Sequence, residues 1–176
     1  MIRILIVALL TVTSFRMTHG IQKLKTSGVK VAKPSANYGK YEFKFTTLDG
    51  KKLKLSDYAG KAVLVNIWAP WCGPCKLETP GFVTLYKQYK DRGFEILSVA
   101  INTNENDVRT FIEKYGVQFP VGISDDVANQ YGTYGIPDNY LFKPDGSLVK
   151  RFVGYTKEDV LRPLLEDALK TVAKSK

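Results

Sequence analysis

Metal-binding side chains are scarce in this chain of 176 residues, which has two cysteines and one histidine. A structural zinc site needs four ligands, but no cysteine exists beyond Cys72 and Cys75, and His19 lies in the N-terminal segment. Covalent attachment of haem would need a histidine directly after Cys75, where Lys76 stands. We therefore expect neither a metal nor another cofactor. A structural disulfide and redox chemistry remain as uses of the cysteine pair.

Acidic residues are outnumbered, since 26 Lys and Arg face 17 Asp and Glu and give a formal net charge of +9. Such a charge attracts acidic surfaces. The lysines, however, are spread along the chain, and no recognisable nucleic-acid-binding motif accompanies them. We expect no nucleic-acid partner. The length suits one domain with a substantial core and leaves little room for two.

The N-terminal part of the chain divides into two segments of different composition. Arg3 precedes an uncharged apolar stretch at residues 4–15, so residues 1–20 are predicted to be a signal peptide or an N-terminal anchor. A first strand or core helix is the alternative. Residues 21–40 are rich in Lys, Ser, Gly and Pro, lack acids and are predicted to be a basic flexible linker. The protein is then extracytoplasmic, either periplasmic or tethered to a membrane and facing outward, rather than cytoplasmic.

Strand and helix patterns alternate from Tyr41 onwards, and we predict one domain over residues 41–176. Alternating apolar residues on either side of Asp49-Gly50 indicate a hairpin closed by a tight turn. Almost wholly apolar runs at 62–68 and 94–101 indicate strands that are covered on both faces. Helical patterns follow, and a second hairpin and a helix end the chain. This order indicates an α/β sandwich around a mixed sheet.

The two cysteines lie in the motif Trp71-Cys72-Gly73-Pro74-Cys75, at the junction between a buried strand and the next helix. The N–H groups and dipole at a helix N-terminus stabilise an anion, so the Cys72 thiol should deprotonate readily. Cys75, one turn later, can attack the mixed disulfide that Cys72 forms with a substrate. Trp71, Gly73 and Pro74 are predicted to contact that substrate, since Gly73 permits close approach of a backbone. A purely structural disulfide remains the alternative.

The buried strand, the motif at 71–75 and the later Gly135-Ile136-Pro137 together resemble the thioredoxin superfamily, over about residues 41–173. The resemblance implies a thioredoxin-like three-layer sandwich with a mixed central β-sheet. It also implies a cis Pro137 that faces the cysteine pair, with Ile136 and Pro137 presenting backbone to an extended substrate segment. An ordinary loop proline is the alternative interpretation.

Finer features are similar to one branch, the exported TlpA/ResA-like thiol:disulfide oxidoreductases related to AhpC/TSA peroxiredoxins. These features are the hairpin ahead of the motif, the long interval from Cys75 to Pro137, Asn66 in the buried strand and the pattern C-x-x-E-x-P from Cys75. The resemblance implies an N-terminal β-hairpin extension and a central helical insertion. It also implies that the protein reduces disulfides of client proteins, as in cytochrome c or metalloprotein maturation. A membrane thiol relay of the DsbD/CcdA type would supply the electrons.

Glu78 is the candidate acid or base of this site. Its i+3 position places it on the helix face of Cys75, where a carboxylate could exchange the proton of the second thiol. A solvated helix carboxylate is the alternative for Glu78, and a hydrogen-bonded core amide is the alternative for Asn66. Asp138-Asn139 follows Pro137 where the branch has Thr or Glu and then Thr. With this departure the resemblance still implies the fold, but it no longer implies the shape and charge of the substrate surface.

Three other functions stay open. A thiol peroxidase shares the preceding hairpin, but such enzymes place Thr three residues before the attacking cysteine, where Ala69 stands. Copper delivery, as in Sco-like proteins, needs a downstream histidine, and none follows His19. A cytosolic general thioredoxin would fit only if the first twenty residues form a folded element. Gly73-Pro74 resembles reducing thioredoxins, which favours a reductase over a disulfide-forming oxidase.

Overall fold

The protein is described by a computed structural model that covers residues 35–173. Within this range, seven strands form where the sequence alternates or is continuously apolar. The strands are β1 Lys44–Thr46, β2 Lys52–Lys54, β3 Ala62–Trp68, β4 Phe94–Ala100, β5 Val121–Ile123, β6 Asp138–Phe142 and β7 Leu148–Val153. Five of them build a central sheet in the order β5-β4-β3-β6-β7. The β3, β4 and β5 strands are parallel, whereas β6 is antiparallel to β3 and β7.

Within residues 35–173, four α-helices connect or follow these strands, and two of them, α2 and α3, are capped at both ends. They are α1 Gly73–Tyr89, α2 Glu105–Tyr115, α3 Asp125–Tyr131 and α4 Glu158–Ala173. The side chains of Asn104 and Ser124 accept backbone N–H groups in the first turns of α2 and α3, at 3.0 and 3.4 Å. Both helices end at a glycine with positive φ, Gly116 and Gly132.

The central strands are buried on both faces, so alternate residues enter two different cores. Leu64 and Trp68 of β3 pack in a core with buried residues of α1, α2 and α4. Val65 and Ile67, the alternate residues of β3, pack on the other side with α3 and with residues before β1. The result is a three-layer α/β sandwich around a mixed sheet. The predicted fold class is confirmed.

The hairpin ahead of the motif and the helical insertion are also present. β1 and β2 pair as an antiparallel two-stranded sheet around the turn at Asp49-Gly50. A bridge between Thr47 and Gly122 joins this hairpin to β5, and the Arg109 guanidinium donates to the Leu48 carbonyl at 2.8 Å. The segment α2–β5–α3 lies between β4 and β6 and supplies the central helical insertion.

Packing onto the domain begins upstream of Tyr41, the first residue of the predicted domain. Tyr38 is 4% exposed, and its ring meets Phe142 edge-on with centroids 5.5 Å apart. The last residues of the predicted linker therefore contribute to the core. The predicted signal peptide or anchor at 1–20, and the linker as far as residue 34, lie outside the described residues. Within residues 35–173, no helix combines the length and apolarity needed to cross a bilayer.

Candidate active site

The sheet topology brings the cysteine motif and the predicted substrate loop to one edge of the sheet. Ile67, near the end of β3, pairs with Asp138, the first residue of β6. The loop that leads to Cys72 and the loop that ends at Pro137 therefore lie side by side. The peptide bond between Ile136 and Pro137 is cis. Ile136 also packs against the core cluster that contains both cysteines.

Cys72 and Cys75 form a disulfide, with their Cα atoms 5.3 Å apart. Cys72 is the N-cap of α1, and its Sγ accepts the backbone N–H of Cys75 at 3.2 Å. Pro74 lies in the first turn, where a helix needs no N–H from it. Both cysteines are almost fully buried. Once the disulfide is opened, the helix N-terminus and this N–H stabilise a thiolate on Cys72.

The surface over Cys72 is open and partly apolar. Trp71 is 60% exposed, and its indole N–H donates to the carbonyl of Asn102 at 3.0 Å. Gly73 and Pro74 are exposed as well, and a Cβ added at Gly73 would meet no atom within 4 Å. A client backbone can therefore approach Cys72 from this side.

In the loop before β6, the backbone N–H and C=O groups of Ile136 and Pro137 differ in whether they are free to form hydrogen bonds with a substrate. Pro137 has no N–H, and its carbonyl accepts the N–H of Gly154 at 2.7 Å. The backbone N–H and C=O of Ile136, by contrast, make no hydrogen bond within residues 35–173. Of the two residues predicted to present backbone to a substrate, Ile136 is the one with polar groups to offer.

Glu78 lies one helical turn after Cys75 and is 2% exposed, so it is not a solvated helix carboxylate. Its Oε1 accepts from the Asn66 amide at 3.2 Å, and the Asn139 amide nitrogen lies 3.3 and 3.1 Å from Oε1 and Oε2. The backbone N–H of Thr156 donates to Oε2 at 3.2 Å. Burial raises the pKa of Glu78 to about 8, against the opposing effect of these donors. Such a carboxyl can take up and release a proton near neutral pH.

Asp138 and Asn139, where the sequence departs from the TlpA/ResA-like pattern, are both fully buried, so neither side chain lies on the substrate surface. Asp138 accepts two hydrogen bonds from the Arg151 guanidinium, at 2.8 and 2.7 Å, and one from the Thr133 hydroxyl at 2.9 Å. Asn139 points to the opposite face of β6 and contacts Glu78. The departure therefore changes the interior: Asp138 adds an ion pair with the half-buried Arg151 on one face, and Asn139 adds an amide beside Glu78 on the other.

The family to which the chain belongs follows from comparison with known proteins. The Redoxin family matches residues 27–169. The thiol-disulfide oxidoreductase ResA of Bacillus anthracis is 39% identical over 122 residues, which cover 67% of this chain and 70% of that protein. This chain belongs to the Redoxin family.

Two further relatives are named for thiol–disulfide exchange. ResA of Bacillus subtilis strain 168 is 37% identical over 115 residues, or 64% of each chain. A solved structure of a thiol:disulfide interchange protein of the thioredoxin family, from Chlorobium tepidum TLS, has a TM-score of 0.68 and 27% identity. It covers 78% of this chain, which in turn covers 98% of it. The protein is a ResA-like thiol–disulfide oxidoreductase of the Redoxin family.

Two residues around Glu78, Asn139 and Thr156, were not predicted as part of the site. Asn66 was noted as a core amide, and it is one, but it also contacts the carboxyl of Glu78. Asn139 lies directly opposite Asn66 in the β3–β6 pair. The available signal was a buried polar residue on each of two neighbouring strands, Asn66 in the apolar run of β3 and Asn139 in β6. Using it would have required the strand register. Within residues 35–173, no group of three or more His, Cys, Asp or Glu side chains could hold a metal ion.

Proposed function

We propose that this Redoxin-family protein reduces disulfides of client proteins outside the cytoplasm, with Cys72 as the attacking sulfur and Cys75 as the resolving one. The observation that carries the proposal is the position of the Cys72 Sγ at the N-terminus of α1, where it accepts the Cys75 N–H. Cys72 is the N-cap of α1, whereas Cys75 lies within the first turn and is 1% exposed. This favours Cys72 as the sulfur that meets the client.

Reduction takes two exchanges. The Cys72 thiolate attacks the client disulfide, a new S–S bond joins Cys72 to one client sulfur, and the other client sulfur leaves as a thiolate. Cys75 then loses its proton and attacks the Cys72 sulfur, so that the second client sulfur leaves and the Cys72–Cys75 disulfide forms. The client gains two electrons and, after protonation of its thiolates, two protons. The protein ends in the oxidised state described above.

Glu78 is the proposed acceptor of the Cys75 proton. It lies one turn after Cys75, and burial raises the pKa of its carboxyl to about 8. A carboxyl with this pKa can take the proton of Cys75 during resolution and return it when the disulfide is reduced again.

The open surface and the loop before β6 are the proposed client site. Trp71, Gly73 and Pro74 form the exposed platform over Cys72. Across from it, the backbone of Ile136 beside Pro137 has a donor and an acceptor that could pair with an extended client segment, as an added strand does. A client disulfide held between these two elements would lie next to Cys72.

The proposed location and partners depend on the sequence and on the resemblance to TlpA/ResA-like proteins. Residues 1–20 would be a signal peptide or an anchor, and the acid-free residues after them a basic linker that holds the domain near a membrane surface. A membrane thiol donor of the DsbD/CcdA type would return Cys72 and Cys75 to the dithiol form. The clients would be apocytochrome c or metalloproteins that need reduced cysteines.

A trapping experiment tests the order of attack. The Cys75→Ser variant should remain joined to its client through Cys72, because the resolving sulfur is missing, and mass spectrometry of non-reduced cell extracts would identify that client. The Cys72→Ser variant is the matched control and should trap nothing. Equal trapping by the two variants would show that the assigned order is wrong.

The direction of the reaction is tested by the reduction potential of the cysteine pair. Equilibration with glutathione buffers should give a value near that of thioredoxin, about −270 mV, because the protein is proposed to donate electrons. A value near that of the strong oxidant DsbA, about −120 mV, would instead make the protein a disulfide-forming oxidase.

A further inference from the structure

A row of polar side chains crosses the otherwise apolar α1 face of the sheet. Asn66 of β3 is paired with Ser98 of β4 on one side and with Asn139 of β6 on the other. All three residues are buried, with exposures of 5, 1 and 0%. The neighbours of Asn66 on this face of β3 are Leu64 and Trp68, both in the apolar core. A polar row at this depth is costly unless every group in it is hydrogen-bonded.

The hydrogen bonds along this row run in one direction and so fix the orientation of both amides. The Ser98 hydroxyl donates to the Asn66 side-chain carbonyl at 3.2 Å, and the Asn66 amide donates to the Asn139 side-chain carbonyl at 2.8 Å. With both carbonyls occupied as acceptors, the NH₂ groups of the two amides face Glu78. A rotated Asn139 would lose the bond from Asn66 and would turn its oxygen towards the carboxylate.

In every hydrogen bond that the Glu78 carboxyl makes within the described residues, a carboxyl oxygen is the acceptor. The donors are the amides of Asn66 and Asn139 and the backbone N–H of Thr156. Asn139 is the only one of the three whose nitrogen lies within hydrogen-bond distance of both carboxyl oxygens. This set of contacts satisfies the ionised carboxylate and offers nothing to the O–H of the protonated form.

We propose that Asn139 is a positioning residue for Glu78, which it holds in place and stabilises in the ionised form that can accept the Cys75 proton. The inference rests on the proposed role of Glu78 as a base. To that role it adds Asn139, the side chain that allows the buried carboxyl to ionise. Asn66 assists by fixing the Asn139 amide, whereas Asn139 itself spans the carboxylate.

Within residues 35–173, no cation shares this task. Asn66 and Ser98 contribute neutral side chains from β3 and β4, Asn139 does so from β6, and the segment before α4 contributes the Thr156 N–H. On α1, Lys76 is exposed, and Cys75, one turn before Glu78, is bound in the disulfide. The charged pair of β6, Asp138 with Arg151, lies on the opposite face of the strand. Because neutral donors alone stabilise the ionised carboxylate, removing one of them raises the pKa of Glu78.

Direct titration of Glu78 in the oxidised protein tests the inference. In this state the cysteines do not titrate, so carbon-13 NMR of the glutamate Cδ atoms, with Glu78→Gln to identify the signal, reports Glu78 alone. The wild-type midpoint should lie near pH 8. Asn139→Leu, which keeps the volume and removes the donor, should move the midpoint upwards by about one to two pH units. Asn139→Thr, which replaces the amide by a single hydroxyl donor, should move it less and serves if the Leu variant does not fold.

Tyr140→Phe is the matched control. It removes a buried polar group from the next residue of β6, whose hydroxyl contacts Asp138 on the other face, and should leave the Glu78 midpoint unchanged. An unchanged midpoint in both Asn139 variants would overturn the inference, as would an equal shift in Tyr140→Phe. The proposed role of Glu78 as proton acceptor fails separately, if Glu78→Gln resolves mixed disulfides at the wild-type rate across the pH range. That rate does not enter the titration of Glu78.

Discussion

Replacing Glu78 with Gln should remove a pH-dependent loss of stability. The carboxyl is buried and has a pKa of about 8 in the folded protein, against 4.5 for an ordinary glutamate. Between these pH values the folded state holds a proton that the unfolded state has released. The contribution of Glu78 to the free energy of unfolding is therefore constant below about pH 4 and falls as the pH rises towards about 8.

The gap between the two pKa values sets the magnitude. The pKa is about 8 in the folded protein and 4.5 for an ordinary glutamate. At about 1.36 kcal/mol per pH unit, this difference lowers the free energy of unfolding by about 5 kcal/mol in total. About 4 kcal/mol of this lies between pH 5 and pH 9. Glutamine adds a separate effect, because its NH₂ group meets the donors of Asn66, Asn139 and Thr156. That effect is the same at every pH, so the slope with pH, not the offset, isolates the titration of Glu78.

Urea unfolding of the oxidised protein between about pH 5 and pH 9, at one ionic strength, measures this slope. The free energy of unfolding of Glu78→Gln minus that of the wild type should increase by about 4 kcal/mol across the range. Glu113→Gln, which changes an exposed carboxylate of α2, is the control and should follow the wild type. Parallel curves for Glu78→Gln and the wild type would refute the reasoning, since Glu78 would then not titrate in this window.

Two further substitutions test the packing around the site. Arg151→Met should lower the free energy of unfolding by about 3 kcal/mol, because the fully buried Asp138 would lose its cation; a loss no larger than that of the exposed Lys150→Met would contradict this. Gly122→Ala should lower it by about 1–3 kcal/mol, because the added Cβ would collide with the Thr46 carbonyl of the hairpin. Amide hydrogen exchange should then accelerate mainly in β1 and β2, and unchanged exchange there would argue against the close approach.

The strands and the cysteine motif could be predicted because their signals are local. A strand buried on both faces needs a continuous apolar run, and the runs at 62–68 and 94–101 correspond within a residue to β3 and β4. The junction of strand and helix at Cys72 follows from the same run and from Pro74. The packing of Tyr38 was not predictable in this way, because its neighbours in the sequence are polar and its partner Phe142 lies on β6.

The surroundings of Glu78 depend on contacts that no local pattern encodes. Asn66 and Asn139 are 73 residues apart in the sequence, and they meet because of the β3–β6 register. The family resemblance identified Glu78 and marked residues 138 and 139 as a departure. It could not show whether those two residues face solvent or the core. Only the register and the pleat of β6 place Asp138 on one face and Asn139 beside the carboxyl on the other.

The three side chains at this point of the core depend on one another. Without Glu78, the NH₂ groups of Asn66 and Asn139 would lose an acceptor in a site with almost no access to water. Without the two amides, Glu78 would be a buried carboxyl held by the Thr156 N–H alone, and burial would keep it protonated. An apolar row would stabilise the sheet at least as well. The polar row is therefore better explained by the chemistry at Cys75, where a carboxylate that ionises near neutral pH is useful, than by stability.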